Sequence, residues 1–108
     1  MSIGPFLELP NIAASRIREI SANEGIRIRV EIPEGRAAES YPGLYIFSGP
    51  LGRIEGRWRT SGDVCVFWLT FPRNRAFIPL LWPFDFYLAR RVEQILLGLG
   101  AHRIDPQF

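Results

Sequence analysis

Hydrophobic and polar residues alternate one for one from Ile26 to Ile32. The alternation sets Ile26, Ile28, Val30 and Ile32 on one side of an extended chain and Arg27, Arg29 and Glu31 on the other. A period of two marks a β-strand with one covered face. The same rhythm returns from Arg53 to Arg59, where Ile54, Gly56 and Trp58 oppose Arg53, Glu55, Arg57 and Arg59. Tyr41 to Ser48 and Val64 to Phe71 complete the extended segments. The turn formers Gly49-Pro50-Leu51-Gly52 and Thr60-Ser61-Gly62-Asp63 lie between these last three strands and link them into a meander. Val64 to Phe71 departs from alternation, since Cys65, Phe67 and Leu69 are as apolar as Val64, Val66 and Trp68, and the strand is expected to be covered on both faces.

Near the two ends the apolar spacing becomes helical. Ile12, Ala13, Ile17 and Ile20 predict a short helix between Asn11 and Glu24, with Asn11 as N-cap and Gly25 as a left-handed stop. Phe84, Leu88, Val92, Ile95 and Leu99 form a longer stripe that ends at Gly98 and Gly100, while Arg90, Glu93 and Gln94 occupy the opposite flank. Pro33 to Ser40 and Pro72 to Pro83 read as loops, and Ala101 to Phe108 carries no pattern. The fold expected is α+β: an antiparallel meander sheet of four or more strands packed on a long C-terminal amphipathic helix, with a short N-terminal helix. With 108 residues, 47% of them hydrophobic, the chain has enough apolar surface for one core, and residues 1–108 read as a single domain.

Charge changes this picture little. All thirteen basic residues are arginine, set against eleven carboxylates, and the net charge is only +2. Arginine without lysine points to codon bias rather than to a device for gripping phosphate. The arginines at 27, 29, 53, 57 and 59 share their strand faces with Glu31 and Glu55, so the stripe reads as a solvated face with cross-strand charge pairs, and nucleic acid is not the partner expected. The one cysteine, Cys65, lies inside an apolar run and cannot form an internal disulfide, which suits a reducing compartment. The N-terminus lacks the basic and apolar regions of a signal peptide. The longest apolar run, Ala76 to Phe84, falls short of the roughly 20 residues that span a bilayer. The expectation is a cytoplasmic chain.

Candidate chemistry is sparse. His102 is the only histidine, so neither a histidine-based catalytic triad nor a multi-histidine metal site can be assembled, and no catalytic residue or cofactor is indicated. Asp63 reads as a turn residue, and Asp85 as a first-turn carboxylate complementing a helix dipole. The Gly49 to Gly52 cluster precedes a strand and not a helix, unlike a phosphate-binding loop. The unusual stretch is Ala76 to Phe84, with Pro79 and Pro83 inside it. It either packs under the sheet edge or into a homodimer, or forms the lip of an apolar cavity through Phe77, Leu81 and Trp82, or touches a membrane through residues 77–84.

The second half, from Ser48-Gly49-Pro50-Leu51-Gly52-Arg53-Ile54-Glu55-Gly56-Arg57-Trp58-Arg59 through the apolar strand, the apolar loop and the long helix, resembles the helix-grip, START-like superfamily of polyketide cyclases and lipid-transfer domains. The resemblance covers about residues 44–99. It implies a curved sheet wrapped around the C-terminal helix with a hydrophobic ligand between them. Ile54, Gly56, Trp58, Val66, Trp68, Phe84, Leu88, Val92 and Ile95 would then line the cavity. Members of that superfamily place a first strand and two small helices before the sheet, of which residues 3–25 could supply a reduced version. The functional expectation is a binding module for a lipid, fatty acid or isoprenoid-like molecule. A homodimeric interaction domain is the alternative, and a small cyclase or dehydratase a further one.

Overall fold

The computed structural model describes residues 3–32, 37–72 and 78–105. In chain order the elements are β1 (Ile3–Pro10), α1 (Asn11–Ala14), α2 (Ile17–Asn23), β2 (Arg27–Glu31), α3 (Ala37–Ser40), β3 (Gly43–Ser48), β4 (Arg53–Ser61), β5 (Val64–Thr70), a 3₁₀ turn (Pro79–Leu81), α4 (Trp82–Gly98) and β6 (His102–Ile104). The strands form a six-stranded sheet in the order β2-β3-β4-β5-β1-β6, antiparallel at every pairing. This is the expected α+β architecture, with the meander running from β2 to β5 and α4 packed on one face.

Alternation decides which side chains meet α4. Leu7 and Leu9 of β1, Phe47 of β3, Ile54 of β4 and Cys65, Phe67 and Leu69 of β5 join Ile17 of α2 and Leu88, Val92, Ile95 and Leu96 of α4 in one buried core. The other face of β5 is covered as well. Val66 packs there with Phe6 and Tyr41, and Trp68 and Ile104 lie against them. Phe6 stacks on Trp68 with ring centroids 5.2 Å apart. The apolar run of β5 thus serves two cores on opposite sides of the sheet.

Two strands carry no clear sequence signal. In β1 the residues Phe6, Leu7 and Leu9 are all buried, so alternation is erased, and prolines stand at Pro5 and Pro10. The pairing with β5 shifts between Ile3 and Phe6, around the residue that has no N–H to donate. β6 is three residues long and exists through its pairing with β1.

The N-terminal helix expected over Asn11 to Glu24 is two short helices broken at Ser15 and Arg16, where the Ser15 hydroxyl donates to the Ile12 carbonyl at 2.6 Å. Asn11 is not the cap. It is the first helical residue, and its side-chain amide donates to the Gly62 carbonyl at 2.9 Å while its backbone N–H reaches the Asp63 carbonyl at 2.8 Å. The β4–β5 turn therefore uses the group that a helix start would have used.

Of the glycine stops expected, Gly98 is the last residue of α4, and the left-handed stops are Gly25 and Gly100. Gly25 and Gly100 have φ of 76° and 98°. In each case the next residue's N–H bonds back to the helix, from Ile26 to the Ser21 carbonyl and from Ala101 to the Leu96 carbonyl. These are Schellman closures, and both Ile26 and Ala101 are buried, which anchors the exit of the chain. Along β2 and the residues flanking it, Ile26 is buried and Ile28 half-buried against the main core, but Val30 and Ile32 are exposed although they share the apolar parity. The loop expected over Pro33 to Ser40 holds a helical turn at α3, its residues 33–36 lying outside the described residues. The helix expected from Phe84 starts two residues earlier, at Trp82, with Pro83 in the first turn where no N–H is required.

Candidate functional site

The distance between α4 and the sheet is set where the β3–β4 turn meets the start of the helix. Asp85 is buried, and its Oδ1 accepts the backbone N–H of Arg53 at 2.9 Å. Gly52 makes the approach possible, because a Cβ there would stand 2.6 Å from the Phe84 carbonyl oxygen. Behind this joint Leu88, Val92 and Leu96 are buried directly on the sheet. The space between the inner face of α4 and the sheet is filled by the protein's own side chains.

Room opens instead along one flank of α4. A cleft of about 300 Å³ lies between that flank and the β5, β1 and β6 side of the sheet. Its apolar wall is made by Ile54, Leu69, Ala89 and Pro5, and by Phe71 and Phe86, whose rings meet edge-on at 4.9 Å. Arg90, Glu93 and Arg103 supply its charged side. Phe86, Ala89, Arg90 and Glu93 succeed one another at helical spacing, so one flank of α4 presents an apolar step followed by a charged one.

Glu93 is nearly buried and is held by Arg103 of β6, whose Nη2 donates to Oε1 at 2.7 Å and also lies 2.6 Å from Oε2. That hydrogen bond, and then the carboxylate's charge, raise the Arg103 pKa further above its already high value. The Glu93 charge is committed to this pair. Arg90 forms no ion pair among the described residues and is exposed at the cleft. The site can therefore receive an apolar body and present one uncommitted cation to its polar end. A second, wider hollow of about 670 Å³ lies between α4 and α2, shares Arg90 with the first, and is bridged by the ion pair of Arg91 with Glu24 at 2.9 Å.

The residues expected to line one cavity do not share one lining. Ile54 reaches the cleft. Gly56, Leu88 and Val92 are in the core, Gly56 facing the Phe47 ring. Trp58 packs beside Tyr45 and Phe67 on the α4 side, with centroids 5.6 and 6.5 Å away. Val66 and Trp68 point to the opposite face, because odd and even positions of β5 part company at every residue. Leu81 is half-buried, Trp82 and Phe84 are exposed at the start of α4, and Phe77 lies outside the described residues. Phe71, Phe86, Ala89, Arg90 and Arg103 were not singled out as cleft residues from the sequence. The helical spacing from Phe86 to Glu93 was the available signal for four of the lining positions.

Several other polar groups have partners within the fold. Glu31 pairs with Arg29 of its own strand at 2.7 Å, not across strands. Burial raises the Glu55 pKa while Arg57 opposes the shift, and Glu55 faces away from the cleft, on the parity opposite Ile54. Arg59 lies over the Tyr41 ring at 5.1 Å, so part of the arginine stripe is engaged by aromatic packing. Among the described residues no group of His, Cys, Asp and Glu is placed to hold a metal ion, and no helix is long and apolar enough to cross a membrane. Compared with protein-family models, with curated proteins and with solved structures, the chain matches none of them.

Proposed function

We propose that the protein is a small binding module for an apolar molecule with an anionic end, seated in the cleft along the Phe86–Arg90 flank of α4. The observation that carries this reading is the cleft itself: an apolar hollow of about 300 Å³ with an uncommitted arginine at its polar side. Its size is at the lower end for small-molecule sites, about 300–1,000 Å³. Apolar burial contributes about 25 cal/mol per Å², and a small ligand needs the arginine to hold it in one orientation. The order of elements supports a reduced helix-grip: a strand, two short helices, an antiparallel meander, then a long helix on one face of the sheet, with β1 beside β5. The cleft lies at the margin of α4 because the centre of the grip is filled.

Native mass spectrometry of the purified protein, compared with its denatured mass, tests this directly. The expected result is a monomer carrying small-molecule mass that vanishes on denaturation, or that is restored by adding fatty acids of increasing chain length. Ala89→Phe, which fills the cleft from a half-buried position, should abolish that mass at a cost of about 1–3 kcal/mol in stability, with the fold retained by circular dichroism. Absence of any bound mass, with added fatty acids also failing to bind, would end this reading. A clean dimer without extra mass would favour the homodimeric alternative, whose support is the exposed Val30 on the edge strand β2 and Ile32 just beyond it.

A further inference from the structure

The end of the molecule formed by the start of α4 and the β3–β4 turn has an unusual surface. A helix on the outside of a domain normally turns polar residues outward. Here the first turns of α4 and the 3₁₀ turn before them present Leu80, Trp82, Phe86 and Tyr87, with Leu80 84% and Tyr87 64% exposed. Leu51, also exposed, joins them from the β3–β4 turn, which Gly52 holds against Phe84. Of the other strongly exposed apolar side chains among the described residues, Ile12 and Ile32 belong to the opposite end of the sheet, where β1 and β2 finish, and Val30 lies within β2.

Cations border this end. Arg53 and Arg90 flank the apolar group, Arg91 beside Tyr87 is paired with Glu24 at 2.9 Å, and Asp85 is buried. We infer that this end docks on the surface of an anionic lipid bilayer. Leu80 and Phe86 enter the acyl boundary, the Trp82 and Tyr87 rings sit at headgroup depth, and the arginines meet the phosphates. A second copy is the poorer occupant, because isologous pairing through this end would bring the same cations together. The inference goes beyond the cleft and stands on different side chains. Phe86 and Arg90 nevertheless belong to both surfaces, so docking turns the mouth of the cleft toward the lipid.

The test is co-sedimentation of the full chain with phosphatidylcholine vesicles made with and without phosphatidylglycerol. Binding is expected only with the anionic lipid and should weaken as salt is raised. Leu80→Asp should lower the partition coefficient at least about tenfold and Arg90→Gln about fivefold. Ile12→Asp, at an equally exposed apolar residue of the far end, should leave it unchanged. All three sites are on the surface, and unchanged circular dichroism and melting would show that the variants are folded. The inference is overturned by failure to bind anionic vesicles, by equal loss in Ile12→Asp, by unimpaired binding of Leu80→Asp, or by a Leu80-dependent dimer that ignores vesicles. Vesicle binding by protein that carries no small molecule and takes up no added fatty acid would keep this inference while removing the cleft reading.

Discussion

Cys65 lies in the main core beneath α4, and burial pushes its thiol from the ordinary 9.0 up to about 12. The folded state therefore favours the protonated thiol. The stability this contributes is fully present below pH 9.0 and is lost as pH rises toward about 12. At pH 8 the native thiol is expected to resist alkylation, and the same reagent should modify it at once in urea; rapid alkylation of the folded protein would contradict this placement. The identity of such a residue was legible, since a cysteine among Val64, Val66 and Phe67 belongs in a core. The roles of Gly43 and Gly56 were not. Gly43 lies directly across from Trp58, whose indole covers it, and Gly56 admits the Phe47 ring. Each depends on a side chain from a neighbouring strand, and a local pattern holds no record of that neighbour.

At the scale of elements, α4 is pinned at its start by two contacts with the β3–β4 turn: the Arg53 N–H on Asp85 and the glycine approach at Gly52. Asp85→Ala should cost about 1–3 kcal/mol by leaving that N–H without its acceptor. Gly52→Ala should cost about 1–3 kcal/mol by pushing the helix away from the turn. Because both act on one joint, the double variant should lose less than the sum of the two, as read from urea unfolding; strict additivity would mean that the joint is not a unit. The dipole role expected for Asp85 is thus accompanied by a tertiary one. β2, β4 and α4 were legible because each has one covered and one open side, which leaves a period in the chain. β1 is covered on both sides, and β6 is too short for a period to register. The break between α1 and α2 was hidden because the apolar spacing continues through it.

At the scale of the whole molecule, β6 closes the β1 edge of the sheet and brings Arg103 to Glu93. Removing the chain from Ala101 onward should therefore expose both an apolar edge strand and an unpaired, nearly buried carboxylate. The expected outcome is lower stability and self-association in sedimentation; a stable monomer would show that the edge needs no cover. The sequence by itself determined the α+β class, the meander, the long C-terminal helix, the two glycine stops and the double coverage of β5. Each is written in periods of two or 3.6 residues, or in the special backbone freedom of glycine. Only the tertiary structure decided that β1 and β6 complete the sheet, that Val66 and Trp68 turn away from α4, that the space between α4 and the sheet is filled, and that a cleft opens beside Phe86. A period records which side of an element is apolar, whereas the space left between two elements depends on the shapes of side chains far apart in the chain.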